Sequence, residues 1–369
     1  MRKLFILGGS ALQLDLILEA KKLFFYVIVL DMDKDCVGSR WCDEFLHIDI
    51  CDKEAVLKKA IEYKIDAILT SATELGNITA CYVGEKLGLN TNSYECALNT
   101  TNKMKMKEIF KKHNIKTANY KYFEKEDLID WKNFPCIVKP VDSSGGRGLS
   151  YISKKEDLEE SIKKAFLYSK RSELIIEEYI LGRQFSVETI SSNKEHQIIT
   201  INEEFIREVP DILELGHHIP AKCSDSLKEK ISQVTYKLLD IFDLKFGAGH
   251  IELRVTDNDE IYIVELASRT GGMRSEMINL AFGVSYSRLL LLSVLGMNLK
   301  LNIEKSNEVD CNFIIDYRAY EEYLNMKRNK EFLIFEPNSI KNVEKDFVAT
   351  NLGESKGYYF ILQNTKDNS

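Results

Sequence analysis

A chain of 369 residues with 44% hydrophobic and 29% charged residues is long enough for two or three domains with real cores. A net charge of −7 argues against a protein whose affinity rests on neutralising nucleic-acid phosphates, and no apolar run reaches bilayer-spanning length, those near 24–30 and 289–294 being far too short. Eight cysteines without a C-x-x-C pair remove zinc-ribbon and thioredoxin readings and leave reduced cytosolic thiols that pack as small hydrophobes.

The first hundred residues alternate. "KLFILGG" reads as a buried strand ending in glycine rather than a signal peptide, because it lacks a long apolar region and a small-residue cleavage site. "ALQLDLILEAKKL" has helical spacing, "FYVIVLDMD" is a second buried strand, "KEAVLKKAIEYK" an amphipathic helix, "IDAILTSA" a third strand and "GNITACYVGEKLGL" a further helix. This alternation predicts a parallel sheet with helices on both faces. Ligands sit at the carboxyl ends of strands in such sheets, so Gly8, Gly9 and Ser10 face a substrate or form a tight structural turn. The full G-x-G-x-x-G is missing, and NAD is not inferred.

From Asn99 the pattern changes. "NTTNKMKMKEIFKKHNI" predicts a basic helix with a Thr/Asn start, "CIVKPVDSSGGRGLSYI" two strands around a loop, and "SKKEDLEESIKKAFLYS" a helix capped by Ser153. "ELIIEEYILGRQFSVETIS" reads as strand, short crossing, strand. "SDSLKEKISQVTYKLLDIFDL" is a long amphipathic helix, and "GVSYSRLLLLSVLGMNL" a buried apolar one. "CNFIIDYRAY", "EFLIFEP" and "GYYFILQ" read as strands of a small terminal element.

Three stretches carry chemistry. In "HIELRVTDNDEIYIVELASRTGG" two strands hold one acid each. A two-residue turn at Asn258 and Asp259 would place Glu252 and Glu265 directly opposite each other. Facing like charges destabilise a sheet, so the pair is solvent-exposed, shares a proton, or holds a divalent cation; oxygen ligands alone favour a hard ion such as Mg²⁺. In "IVKPVDSSGGRGLSYI" the backbone of Gly145 and Gly146 can approach phosphate oxygens, and Lys139 can reach the same oxygens as a point charge. A mobile surface turn fits that loop equally, and no Walker A pattern is present. In "LIIEEYILGRQFSVE" the strand breaks at 179–180, where backbone groups can read an adenine edge.

In this order the stretches resemble the ATP-grasp superfamily over nearly the whole chain. The likeness looks closest to the branch with carbamoyl phosphate synthetase halves, biotin carboxylase, purine-pathway carboxylate enzymes and amino acid ligases. The resemblance implies an α/β fold: a Rossmann-like pre-grasp domain over 1–98, an ATP-grasp domain over 99–300 with a lid at about 120–182, and a small C-terminal β element over 301–369. It implies phosphate binding by Lys103, Lys139 and the loop of Ser144, Gly145 and Gly146. The hinge is Glu177, Glu178, Tyr179 and Ile180, metal binding falls to Glu252 and Glu265, and Arg269 and Lys139 are catalytic. Gly271, Gly272 and Arg274 would contact substrate; Arg274 could equally pair with Glu276. The segment 214–221, "ELGHHIPA", resembles the branch's stretch before the long helix, with His217 and His218 read as structural.

Two departures matter. Members commonly read E-x-N-x-R at the second metal acid, whereas this chain reads E-L-A-S-R, and Ala267 cannot ligate a metal. The ribose-binding acid is replaced by Gln184, which hydrogen-bonds a hydroxyl without charge. The resemblance implies a cytoplasmic ligase using ATP with Mg²⁺, or Mn²⁺ in its place, to join a small-molecule carboxylate to an amine through an acyl phosphate. Nucleic acid and membrane are not expected partners, and a homodimer is left open. The alternatives are a bicarbonate-activating carboxylase and a non-catalytic ATP-binding module.

Overall fold

The computed structural model describes residues 1–125, 127, 129–141, 148–169, 172–207, 212–303, 307–329, 333–335 and 340–363. The chain begins with β1 (Lys3–Leu7), α1 (Ala11–Lys22), β2 (Tyr26–Asp31), β3 (Glu44–His47), α2 (Lys53–Tyr63), β4 (Ala67–Leu69) and α3 (Glu74–Leu87). The four strands form a parallel sheet in the order β3-β2-β1-β4. Strand alternation sends Leu4, Ile6, Val27 and Val29 to the face covered by Leu16 and Ile17 of α1. Phe5, Leu7, Ile28 and Leu30 go to the face covered by Val56, Ala60, Ala80 and Val83. Both faces are buried, as a parallel sheet requires. The G-G-S turn is built into this framework: Ser10 caps α1 reciprocally with Gln13, and the Gly9 amide donates to Asp31 at 2.8 Å. The sequence reading missed β3, whose four residues are only partly buried or exposed and show no apolar alternation.

Two helices, α4 (Tyr94–Asn99) and α5 (Lys103–Lys112), lead into a small antiparallel sheet. Its strands are β5 (Tyr120–Glu124), β6 (Cys136–Pro140) and β7 (Ser150–Ile152), followed by α6 (Leu158–Tyr168) and then β8 (Glu173–Glu178), in the order β5-β8-β6-β7. Val138, Leu174 and Ile176 of the sheet pack on Leu158 and Ala165 of α6. The start of α6 lies later than expected: a 3-10 turn at Lys155–Asp157 intervenes, and Asp157 rather than Ser153 precedes the first helical turn.

The remaining strands build one eight-stranded sheet. They are β9 (Arg183–Ser192), β10 (Glu195–Arg207), β11 (Leu213–Ile219), α7 (Asp225–Ile241), then β12 (Gly247–Val255) and β13 (Ile261–Ala267). After α8 (Arg274–Phe282) and α9 (Tyr286–Val294) come β14 (Glu308–Phe313), α10 (Tyr317–Asn329), β15 (Leu333–Phe335) and β16 (Tyr358–Gln363). The strand order is β13-β12-β9-β10-β11-β14-β16-β15, so the C-terminal strands extend the sheet that begins at the hairpin. The stretch "DYRAY" is not strand: Asp316 accepts the Ala319 amide at 2.8 Å and so starts α10. The all-apolar stripe of α9 also has its reason. Its Leu290 and Leu291 share one core with Leu4 and Ile6 of the first sheet and Ile190 and Ala248 of the large one, so the helix is covered on two sides. None of the described helices is by itself long and apolar enough to cross a membrane.

Candidate functional site

A cavity of about 300 Å³ opens between the small sheet, the large sheet and α5. Lys103, Lys139, Glu177, Glu178, Tyr179, Ile180, Gln184, Glu252, Glu265 and Arg269 all line it. Residues spread over 167 positions of sequence thus meet at one place. Ser144, Gly145 and Gly146 lie outside the described residues.

The hairpin of β12 and β13 supplies the acids. Glu252 and Glu265 are ladder partners, as the sequence predicts. The route to that register differs from the expected two-residue turn. The connection runs from Thr256 to Glu260, with Asp259 at φ 57°, and pairs Val255 with Ile261. That register would leave the acids offset by one residue. A bulge beside Glu252 and Leu253 restores it, so the two carboxylates face each other after all.

Their electrostatics are unequal. Glu265 lies 3.6 Å from the Lys103 ammonium. Burial works to raise its pKa, yet Lys103, Arg269 and Lys139 together hold it down to about 2. Burial and then the charge of Glu265 push Glu252 upward. This arrangement suits a hard divalent cation: two facing oxygen donors line a cavity, one is firmly ionised, and the other resists ionisation because burial and the charge of Glu265 outweigh the nearby His250. Ala267 is buried and offers no donor, so on the hairpin Glu252 and Glu265 are the side chains that could hold the ion.

Positive charge enters from two elements. Lys103 opens α5, and Lys107 follows one turn later on the same face. Lys139 ends on the facing strand β6. Glu177 is the common counter-charge, 3.1 Å from Lys139 and 3.5 Å from Lys107. Burial opposes its ionisation, but the two lysines win and its pKa is lowered. Lys107 escaped the sequence reading, although its i,i+4 spacing from Lys103 was the available signal. It is 2% exposed, bonds Thr117 at 2.5 Å, and burial lowers its pKa. Lys107→Met should leave Glu177 short of charge in a dry site and destabilise the fold by about 3 kcal/mol, measurable as a lower urea midpoint.

The hinge joins the sheets. Glu178 accepts from Asn119 at 2.7 Å, and the Tyr179 ring stacks under Arg254, whose guanidinium carbon lies 4.5 Å from the ring centre. Gly182, at φ 143°, lets the crossing press on β12; an added Cβ would stand 2.1 Å from the Val255 carbonyl oxygen. Gln184 donates to Glu204 at 2.7 Å across the β9–β10 ladder, so the carboxylate missing at position 184 is present on the neighbouring strand. Glu204 lines the cavity and has no sequence motif to reveal it.

The segment after β13 ties the cavity to the helices around the first sheet. Arg269 pairs with Glu74 at the start of α3 at 2.5 Å, Thr270 accepts the Ala72 amide at 3.0 Å, and Ser268 bonds Asn77 at 2.8 Å and Thr100 at 2.7 Å. Gly271, Gly272 and Arg274 do not line the described cavity. Arg274 is 2% exposed and reaches Glu204 at 2.8 Å and Glu188 at 3.4 Å, not Glu276. Glu204, Glu214 and His217 bring donor atoms within 4.8 Å of one another. Arg274 already supplies a cation there, 3.2 Å from His217 Nδ1. Burial, then Arg274 and His250, keep His217 neutral, with a pKa well below the ordinary value. His218 bonds Asp310 at 2.6 Å on the other face of β11. Neither histidine lines the cavity, in keeping with a structural reading.

The chain resembles known proteins in sequence and in fold. Residues 132–277 match the ATP-grasp domain family. A formate-dependent phosphoribosylglycinamide formyltransferase of Prochlorococcus marinus subsp. pastoris is 33% identical over 164 residues, covering 42% of this chain and 42% of that protein. The corresponding protein of a second Prochlorococcus marinus strain is 28% identical over 275 residues, 71% of this chain and 68% of its own length. The match to the first of these relatives therefore spans less than half of it. Among solved structures, an L-amino acid ligase from Bacillus licheniformis has a TM-score of 0.81 at 17% identity, over 99% of this chain and 94% of that one, which shows a shared fold. Residues 132–277 thus resemble the ATP-grasp domain, and the whole chain shares its fold with the L-amino acid ligase.

Proposed function

We propose that the protein is an ATP-dependent carboxylate–amine ligase that forms an amide through an acyl phosphate and releases ADP and phosphate. The observation that carries this reading is the convergence of Lys103, Lys139, Arg269 and the facing pair Glu252 and Glu265 on one cavity. A carboxylate oxygen of the substrate attacks the γ-phosphorus of ATP, and the bond to the β–γ bridging oxygen breaks. The amine nitrogen then attacks the acyl carbon, phosphate leaves, and the nitrogen loses a proton. Lys103 and Lys139 face the transferring phosphoryl group as fixed positive charges, and Arg269, anchored by Glu74, adds a third. Mg²⁺, or Mn²⁺, held by Glu252 and Glu265 would neutralise phosphate charge when bound. The adenine would lie against Tyr179 and Ile180, with ribose hydroxyls toward Gln184. Ser144, Gly145 and Gly146 would cover the phosphates, and Gly271, Gly272 and Arg274 would shape the acceptor side.

The names of the relatives support the class: one is formate-dependent, and a fold neighbour is an amino acid ligase. Eight free thiols support a reducing, cytoplasmic setting. The test is ADP release with Mg²⁺ across a panel of amino acids and small carboxylates, with hydroxylamine to trap acyl phosphate. Hydroxamate together with amine-dependent product is the expected result. Turnover on bicarbonate alone would replace the ligase by a carboxylase, and tight ATP binding without turnover would leave a non-catalytic module. Mg-ATP should raise the melting temperature while NAD leaves it unchanged, because the dinucleotide fingerprint is incomplete. Equal stabilisation by the two would count against the nucleotide assignment.

A further inference from the structure

We propose that His250 is a positioning residue: it aims Glu252 at a divalent cation and ties that carboxylate, through Glu188, to the backbone turn at Gly271. The proposal rests on the nucleotide reading above and assigns a role to a residue outside the cavity lining. His250 on β12 is the ladder partner of Glu188 on β9. Its Nδ1 lies 2.6 Å from Glu188 Oε1, and its Nε2 lies 3.2 Å from Glu252 Oε1. One ring therefore spans two carboxylates and fixes the distance between them.

Glu188 is itself immobilised. It is 0% exposed, its Oε2 accepts the Gly271 amide at 3.3 Å and the Tyr286 hydroxyl at 3.3 Å, and Arg274 approaches Oε1 at 3.4 Å. The two acids of the facing pair are thus oriented from different sides. Glu265 is steered by Lys103 on α5, whereas Glu252 is steered through His250 by the buried Glu188. Groups that orient metal-ligating carboxylates from behind set affinity by restricting where the oxygens point, and losing one typically costs about 10–100-fold. Glycine at 271 belongs to the same device. A Cβ there would stand 2.5 Å from Glu188 Oε1, 2.7 Å from Arg274 Cγ and 2.8 Å from His250 Nδ1, so Gly271→Ala presses on the bridge and on the arginine behind Glu188, with Glu252 not among its nearest contacts.

The experiment uses the full chain with a non-hydrolysable ATP analogue and follows Mn²⁺ binding by electron paramagnetic resonance. His250→Gln and Gly271→Ala should each weaken Mn²⁺ binding by about 10-fold or more, with analogue affinity measured without metal changed less than about twofold. The double variant should be little weaker than the stronger single one, because both substitutions break one connection. In turnover, kcat should fall while KM for ATP holds. A folded His250→Gln protein, checked by its melting curve, that binds Mn²⁺ as wild type does would overturn the proposal. Should that variant not fold, Gly271→Ala decides alone, and unchanged Mn²⁺ affinity there is equally fatal. Wild type failing to bind Mn²⁺ with the analogue would instead remove the nucleotide reading, and this role with it.

Discussion

Lys139→Ala is expected to lower the rate of ADP formation by about 10²–10³-fold, with the loss mainly in kcat. Lys139 projects from the end of β6 into the cavity, where it already sits 3.1 Å from Glu177. Lys107 shares that carboxylate from 3.5 Å, so Glu177 keeps a counter-charge when Lys139 turns toward a phosphate. The substitution therefore removes charge from the reacting group more than it disturbs the ground-state fold, and such losses fall on kcat. Lys139→Arg should recover part of the rate, since charge is kept but the planar fork reaches differently. A rate for Lys139→Ala within about threefold of wild type would place the phosphate site elsewhere.

Much of this site was legible because its parts lie on regular elements. The lysine before a glycine-rich loop, the break after two acids and the acids of a hairpin each leave a local pattern, and a strand or helix carries the side chain to a foreseeable place. Residues that act across elements left none. Glu74 begins α3, beside the four-stranded parallel sheet, and reaches Arg269 only because the segment after β13 folds back against that helix. Glu204 becomes visible as a partner of Gln184 only once β9 and β10 are in register. The facing of Glu252 and Glu265 was reached by incorrect turn geometry. The turn is longer than two residues, and the bulge that compensates it has no signature in "EIYIVELA". The same limit applies to α10, where the sequence reading carried the apolar "CNFII" strand past Asp316 into a helix that this aspartate initiates.

Glu252→Gln should stabilise the nucleotide-free protein and destabilise it, relative to wild type, once Mg-ATP is bound. The sequence alone leaves open which of the two facing acids resists ionisation, and the structure assigns it to Glu252 rather than to Glu265. The sign follows from linkage. An acid whose folded pKa is raised binds protons more readily folded than unfolded, so its charge opposes folding at neutral pH and stops doing so as the pH falls toward the ordinary value of 4.5. Glutamine removes that charge, and the melting temperature of the free protein should rise by about 2 °C. The gain over wild type should shrink as the buffer approaches the ordinary carboxylate range. Glu265→Gln should act oppositely. Its carboxylate, held down to about 2, contributes stability that is fully present above 4.5 and is lost only as the pH falls toward 2, so removing it strands Lys103 and lowers the melting temperature at neutral pH. Mg-ATP at a hundred times its dissociation constant stabilises wild type by about 2.7 kcal/mol. Each variant should gain less, because each lacks one oxygen ligand for the cation. The curves for wild type and Glu252→Gln should therefore cross between the free and the Mg-ATP forms. If all three proteins gain equally from Mg-ATP, the facing carboxylates do not hold the metal, and Glu252 would be a repulsive neighbour of Glu265 with no ligand to justify it.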